Sequence, residues 1–213
     1  MNRRIQLRCL AHLVLAMMVS SAHADSLVGY FRAVQLDDVR TVQRLLNEGV
    51  DPNSLDEKGQ SGLFVAMRDE APNVAAALLA HRKINVDLSN ASNETPLMMA
   101  ALRGHMTLAE QLLARGAAVN RAGWTPLHYA ATGPQTSMVA LLLQRGAAIE
   151  ALSPNRSTPL MMASRYGPES SVDLLLARGA SLQARNDTGM TAVDFATSAG
   201  RESLARRLGD LPR

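Results

Sequence analysis

The hexamer TPLMMA occupies residues 95–100 and returns at 158–163, with TPLHYA at 125–130 between them. A segment written three times in one chain ties the fold to a repeating unit, so the next question is what else recurs with it. Unit starts fall at Ser61, Thr95, Thr125, Thr158 and Thr191, spaced 34, 30, 33 and 33 residues apart. A leucine pair follows each of the first four starts at a fixed distance: Leu78-Leu79, Leu112-Leu113, Leu142-Leu143 and Leu175-Leu176. Leu45-Leu46 marks an earlier, worn unit beginning near Val28, and Leu208 marks a truncated last one. The chain is therefore a tandem array with a period of about 33 residues.

Each part of the unit has a physical role. Threonine is a good N-cap, and proline in the next position loses nothing because that amide has no helical partner. Small residues follow, as in Ala100-Ala101, Ala130-Ala131 and Ala163-Ser164, and let neighbouring helices approach closely. A polar turn then leads to a second helix with apolar residues at helical spacing, such as Met138, Leu141 and Leu142. Gly116, Gly146 and Gly179 are placed to end that helix in the left-handed conformation. With aromatic residues at only 3%, packing falls to Ala, Leu, Val and Met.

These units resemble ankyrin repeats, whose signature is TPLHxA at this period. Residues 125–130 match it outright, and 95–100 and 158–163 match except at the histidine. The resemblance covers nearly all of residues 26–211 and implies an all-α solenoid of about six helix-turn-helix units joined by hairpin loops. The first and last units should be degenerate caps, since terminal repeats turn one face to water. Two departures mark irregular places. The connection at 120–124 is about three residues short, and unit two reads Ser61-Gly62 for Thr-Pro and His81-Arg82-Lys83 where others have Arg-Gly-Ala. The stack is expected to be least regular over residues 53–95.

Residues 1–24 read as a secretory signal peptide: a basic start, an apolar stretch from Cys9 to Val19 too short to span a membrane comfortably, and a cleavage site at Ala22-His23-Ala24. The repeat domain is then residues 25–213. Loss of Arg3, Arg4 and Arg8 would balance the remaining Lys and Arg against the 19 Asp and Glu, so nucleic acid and anionic lipid are not expected partners. Cys9 is the only cysteine, which leaves the exported chain free of thiols and suits an oxidising compartment. The expected location is the periplasm, with release to the extracellular space as the alternative.

No nucleophile elbow, glycine-rich phosphate loop or set of metal-ligand spacings appears, so neither catalysis nor a cofactor is expected. His128 falls inside a helix start and reads as structural, bonded to the Thr-Pro region as the resemblance implies. The Met98-Met99 and Met161-Met162 pairs read as core filler. The resemblance further implies binding through a concave face, built from residues before each Thr and just after each Ala pair. Carried onto this chain, the first group is Gln60, Glu94, Trp124, Ser157 and Met190. The second includes Arg68, Asp69, Leu102, Arg103, Thr132, Arg165 and Tyr166. Aromatic and arginine anchors dominate binding surfaces, which selects Trp124, Arg68, Arg103, Arg165 and Tyr166 as partner-binding candidates. The implied function is a monomeric, non-enzymatic adaptor for a protein partner. Similar short, signal-bearing members in Gram-negative bacteria include some associated with oxidant defence. The alternative is an exported effector or toxin-related protein.

Overall fold

The structure, a computed structural model, describes residues 25–211; the expected signal peptide lies outside them. Helix α1 covers residues 25–35 and is followed by α2 (Val39–Asn47), which completes the first pair. The later pairs are α3 (Gly62–Arg68) with α4 (Pro72–Ala80), α5 (Pro96–Arg103) with α6 (Met106–Ala114), and α7 (Pro126–Thr132) with α8 (Thr136–Gln144). After these come α9 (Pro159–Tyr166) with α10 (Glu169–Ala177), and α11 (Ala192–Ser198) with α12 (Glu202–Gly209). From α3 onward the odd-numbered helices pack on one another in chain order as one layer. The even-numbered helices form a second, looser layer. The worn first unit differs from expectation at its start: α1 is already helical at residue 25, ahead of Val28.

Four of the five helix starts cap as the sequence predicts, while the Thr125 hydroxyl pairs with His128 Nδ1 instead. Ser61, Thr95, Thr158 and Thr191 accept from the amides of Phe64, Met98, Met161 and Asp194. The reciprocal bond has an unusual feature: the Thr95 and Thr158 amides donate to the sulfur of Met98 and of Met161, each at 3.4 Å. Thioether sulfur is only a weak acceptor, but it occupies the position that His128 and Asp194 fill in other units. At the far ends of α6, α8 and α10, Gly116, Gly146 and Gly179 have φ of +87°, +85° and +91°.

The core is a continuous ribbon of Leu, Ala, Val and Met between the two layers. Gly133 and Gly167 bring the first helices of adjacent units together. A Cβ at Gly167 would lie 2.0 Å from the Ala131 carbonyl oxygen, and one at Gly133 would lie 2.8 Å from that of Ala101. Unit six meets the same surface with a side chain instead, since Arg201 donates to the carbonyls of Ala163, Ser164 and Gly167 at 2.8–3.0 Å.

Between pairs, side chains do most of the holding. A single isolated bridge, Leu55 with Ser61, is the only strand-like pairing among the described residues. The loops are instead shaped by Asp56, Asn90 and Asn186, each accepting two nearby amides. They are stitched across units by Asn53 to Asn85, Asp87 to Ala118, Asn120 to Ala148 and Glu150 to Ser181. In unit two, Glu70 and Asn93 take left-handed backbone, at φ of +60° and +61°. The end of α4 departs from the other units as well: His81 is extended and Arg115 of the next unit donates to the carbonyls of Leu79 and His81.

Candidate binding cleft

Residues at equal distances from the unit starts form rows across the odd-numbered helices. One row precedes the starts: Gln60, Glu94, Trp124, Ser157, Met190. A second holds Val65, Met99, Tyr129, Met162 and Phe195, and a third Arg68, Leu102, Thr132, Arg165 and Ser198. The three rows converge on a cleft of about 210 Å3 lined by Leu102, Trp124, His128, Tyr129, Thr132 and Met162. It spans units three to five and sits beside the shortened connection that carries Trp124.

Hydrogen bonds fix its walls. The Trp124 ring stands edge-on to His128, 5.3 Å between centroids at 81°. The Thr125 amide donates to His128 Nδ1 at 3.2 Å, so the ring proton resides on Nε2, which donates to the Ser157 carbonyl at 3.0 Å. Burial holds this imidazole below its usual pKa. His128 is thus a neutral post under the indole, in the structural role read from its position. Tyr129 donates to Glu94 Oε1 at 2.7 Å, and Asn90 donates to the other carboxylate oxygen at 2.8 Å. Burial and the neighbouring carboxylate raise the Tyr129 phenol well above its usual range. With both oxygens engaged, Glu94 serves the wall.

The five candidate residues separate here. Trp124 lines the cleft, half-buried. Arg165 and Tyr166 lie together at the end of α9, with the guanidinium 5.2 Å from the Tyr166 ring centroid and Tyr166 59% exposed. Arg103 follows the wall residue Leu102 and is exposed, 3.7 Å from Glu70. Arg68 stands apart in unit two, bound to Asp69 through two contacts of 2.6 Å and to Gln60. That pairing holds the Asp69 carboxyl below its usual range. Tyr129 and Met162 are wall residues that the sequence reading missed. Their signal was the row position directly after His128 and Met161. Among the described residues no group of His, Cys, Asp and Glu is placed to hold a metal ion, and no helix is long and apolar enough to cross a membrane.

The family model described as ankyrin repeats, three copies, matches residues 30–122, 85–153, 112–186 and 137–210. The chain belongs to the ankyrin repeat family. Its relatives include the NF-kappa-B p105 subunit of Gallus gallus, 30% identical over 109 residues, or 51% of this chain and 11% of that protein. A putative ankyrin repeat protein of Rickettsia felis is 37% identical over 89 residues, covering 41% of this chain and 36% of the relative. The chain therefore spans a minor part of these curated relatives. Among solved structures, a chain in the complex of a predatory endopeptidase from Bdellovibrio bacteriovorus with an immunity protein matches with a TM-score of 0.74 and 27% identity. That match covers 86% of this chain and 98% of the other. Ankyrin repeats are typically non-enzymatic protein-interaction modules.

Proposed function

We propose that this ankyrin protein is a non-enzymatic adaptor of the bacterial periplasm that holds a protein partner on its concave face, at units three to five. The observation that carries the reading is the cleft under Trp124, where an aromatic anchor on the connection before α7 meets Leu102 and Met162 on α5 and α9, with Arg103 and Arg165 further along the same two helices. The periplasmic assignment rests on the signal-like pattern of residues 1–24 and on a single cysteine that lies within that segment. A role in oxidant defence is carried by resemblance to short signal-bearing members, and loss of peroxide tolerance on deletion would support it. One observation favours a second reading. The matched chain comes from an endopeptidase and immunity-protein complex, so the partner is then an enzyme, inside or outside the cell, that this chain restrains.

The test is crosslinked capture from periplasmic extract, beside a Trp124→Ala, Arg103→Glu variant of unchanged helicity. A protein retained only by the unmodified chain supports the proposal. Equal capture by both moves the interface elsewhere. Absence of the protein from the periplasmic fraction, with recovery from the medium, transfers the reading to an exported binder.

A further inference from the structure

The Trp124 cleft lies beside a cation that has no acid of its own. Arg44, Arg68, Arg103, Arg156 and Arg207 each have a carboxylate oxygen within 4.0 Å. Arg165 has none among the described residues. Its guanidinium stacks on Tyr166 and Phe195, at 5.2 and 6.0 Å from the ring centroids, and makes one side-chain hydrogen bond, to Ser198 Oγ at 3.3 Å. Two rings hold the planar fork in place while most of its five N–H donors stay free.

Two placements set Arg165 against the cleft. On α9 it follows the wall residue Met162 by one helical turn, which puts their Cβ atoms roughly 5–6 Å apart. Across the units it succeeds Leu102 and Thr132, both wall residues, in the same row. On the opposite side, Glu94 is already occupied by Tyr129 and Asn90. The acidic edge of the cleft is closed and its basic edge is open. Its volume suits one large side chain, since a cavity of about 150 Å3 already accepts benzene.

We propose that the partner segment recognised here presents an aromatic or branched aliphatic side chain followed within one or two residues by a carboxylate. The apolar group enters the Trp124 cleft, and the carboxylate takes the free donors of Arg165. In an extended segment a neighbouring or next-but-one residue lies about 3.3–7 Å further along, comparable with the single turn of α9 from Met162 to Arg165. The inference rests on the reading of the cleft as the binding site and adds the chemistry of what fills it.

The test is selection of a random heptapeptide library on protein purified from cells expressing the full chain. Winners are then synthesised and titrated by isothermal calorimetry, a readout that survives replacement of Trp124, the chain's single tryptophan. The expected winners carry the apolar-then-acidic pattern. Their affinity should fall about tenfold in Arg165→Gln and recover only in part in Arg165→Lys, which restores the charge but not the stacked fork. Arg145→Gln, an exposed arginine on α8's far end, should leave it unchanged. Amidation of the peptide terminus separates a terminal carboxylate from an Asp or Glu side chain as the group that Arg165 takes. Winners that need Trp124 but show no acidic preference, or ignore Arg165→Gln, overturn this inference and leave the cleft standing. Winners indifferent to Trp124→Ala, or a library that yields none, overturn both.

Discussion

Alanine at Gly167 would place a methyl group 2.0 Å from the Ala131 carbonyl oxygen and 3.1 Å from Ala163 Cα, both main-chain atoms. The backbone there, at φ −87° and ψ 170°, is one that any residue adopts, so the whole cost is steric. Overpacking costs about 1–3 kcal/mol when side chains can yield. Here helices must move, which places the change near 3 kcal/mol by the same scale. Loss of glycine freedom in the unfolded chain returns roughly 0.4–1 kcal/mol, leaving a net of about 2–3 kcal/mol. Ala131 lies in α7 and Gly167 follows α9, so the damage falls on the contact between units four and five. Stacked repeats draw stability from such contacts, so units five and six should unfold before the rest. The comparison is Gly146→Ala, at φ +85° with nothing within 4 Å of its Cβ. Left-handed strain of about 1–2 kcal/mol, offset by the same entropy gain, leaves roughly 1 kcal/mol. Urea unfolding followed by helical circular dichroism and by Trp124 fluorescence measures both variants. A midpoint shift for Gly167→Ala no larger than that for Gly146→Ala refutes the close-approach argument.

Arg115→Ala should cost about 1–2 kcal/mol by uncapping α4, while Arg145→Ala, at the matching place two helices on, stays within about 0.5 kcal/mol; urea midpoints compare them. For His128, burial lowers the folded pKa below the usual 6.5, so the unfolded chain binds more protons between the two values. The His128 contribution is then complete above about pH 6.5 and shrinks as pH falls through that window. His128→Gln should flatten the fall between pH 7.5 and 5 relative to the parent, read as the difference in urea midpoints. Asn120→Ala removes bonds to the Gly146 carbonyl and the Ala148 amide, and about 1–2 kcal/mol with them, measurable as faster hydrogen exchange of the Ala148 amide.

The scaffold was legible because its signals are local. Thr95-Pro96 or Thr158-Pro159 starts a helix whatever surrounds it, and Gly146 ends one, so periodic spacing alone registers six units. The end of α4 was not legible, because its cap is Arg115, which looks in the sequence like the arginines of the other Arg-Gly-Ala segments. The cleft was half legible. Trp124 announces itself, whereas Tyr129 and Met162 read as helix filler until three rows from different units meet. Arg68 and Arg165 hold the same row, yet one is bound to Asp69 and Gln60 and the other has no carboxylate within 4.0 Å among the described residues. That difference is set by the neighbouring positions, where unit two has Asp69 and unit five has Tyr166.

The Arg115 cap also imposes an order in time. A ribosome releases a chain from its N-terminus, and here the carbonyl of Leu79 must wait for a residue 36 positions later. Until Arg115 emerges and α6 docks, α4 has an open end, while α6, α8 and α10 each carry a terminating glycine within their own unit. The end of unit two is therefore completed only by the unit that follows it. A fragment that stops before residue 115 should fray there, however complete its own helices are.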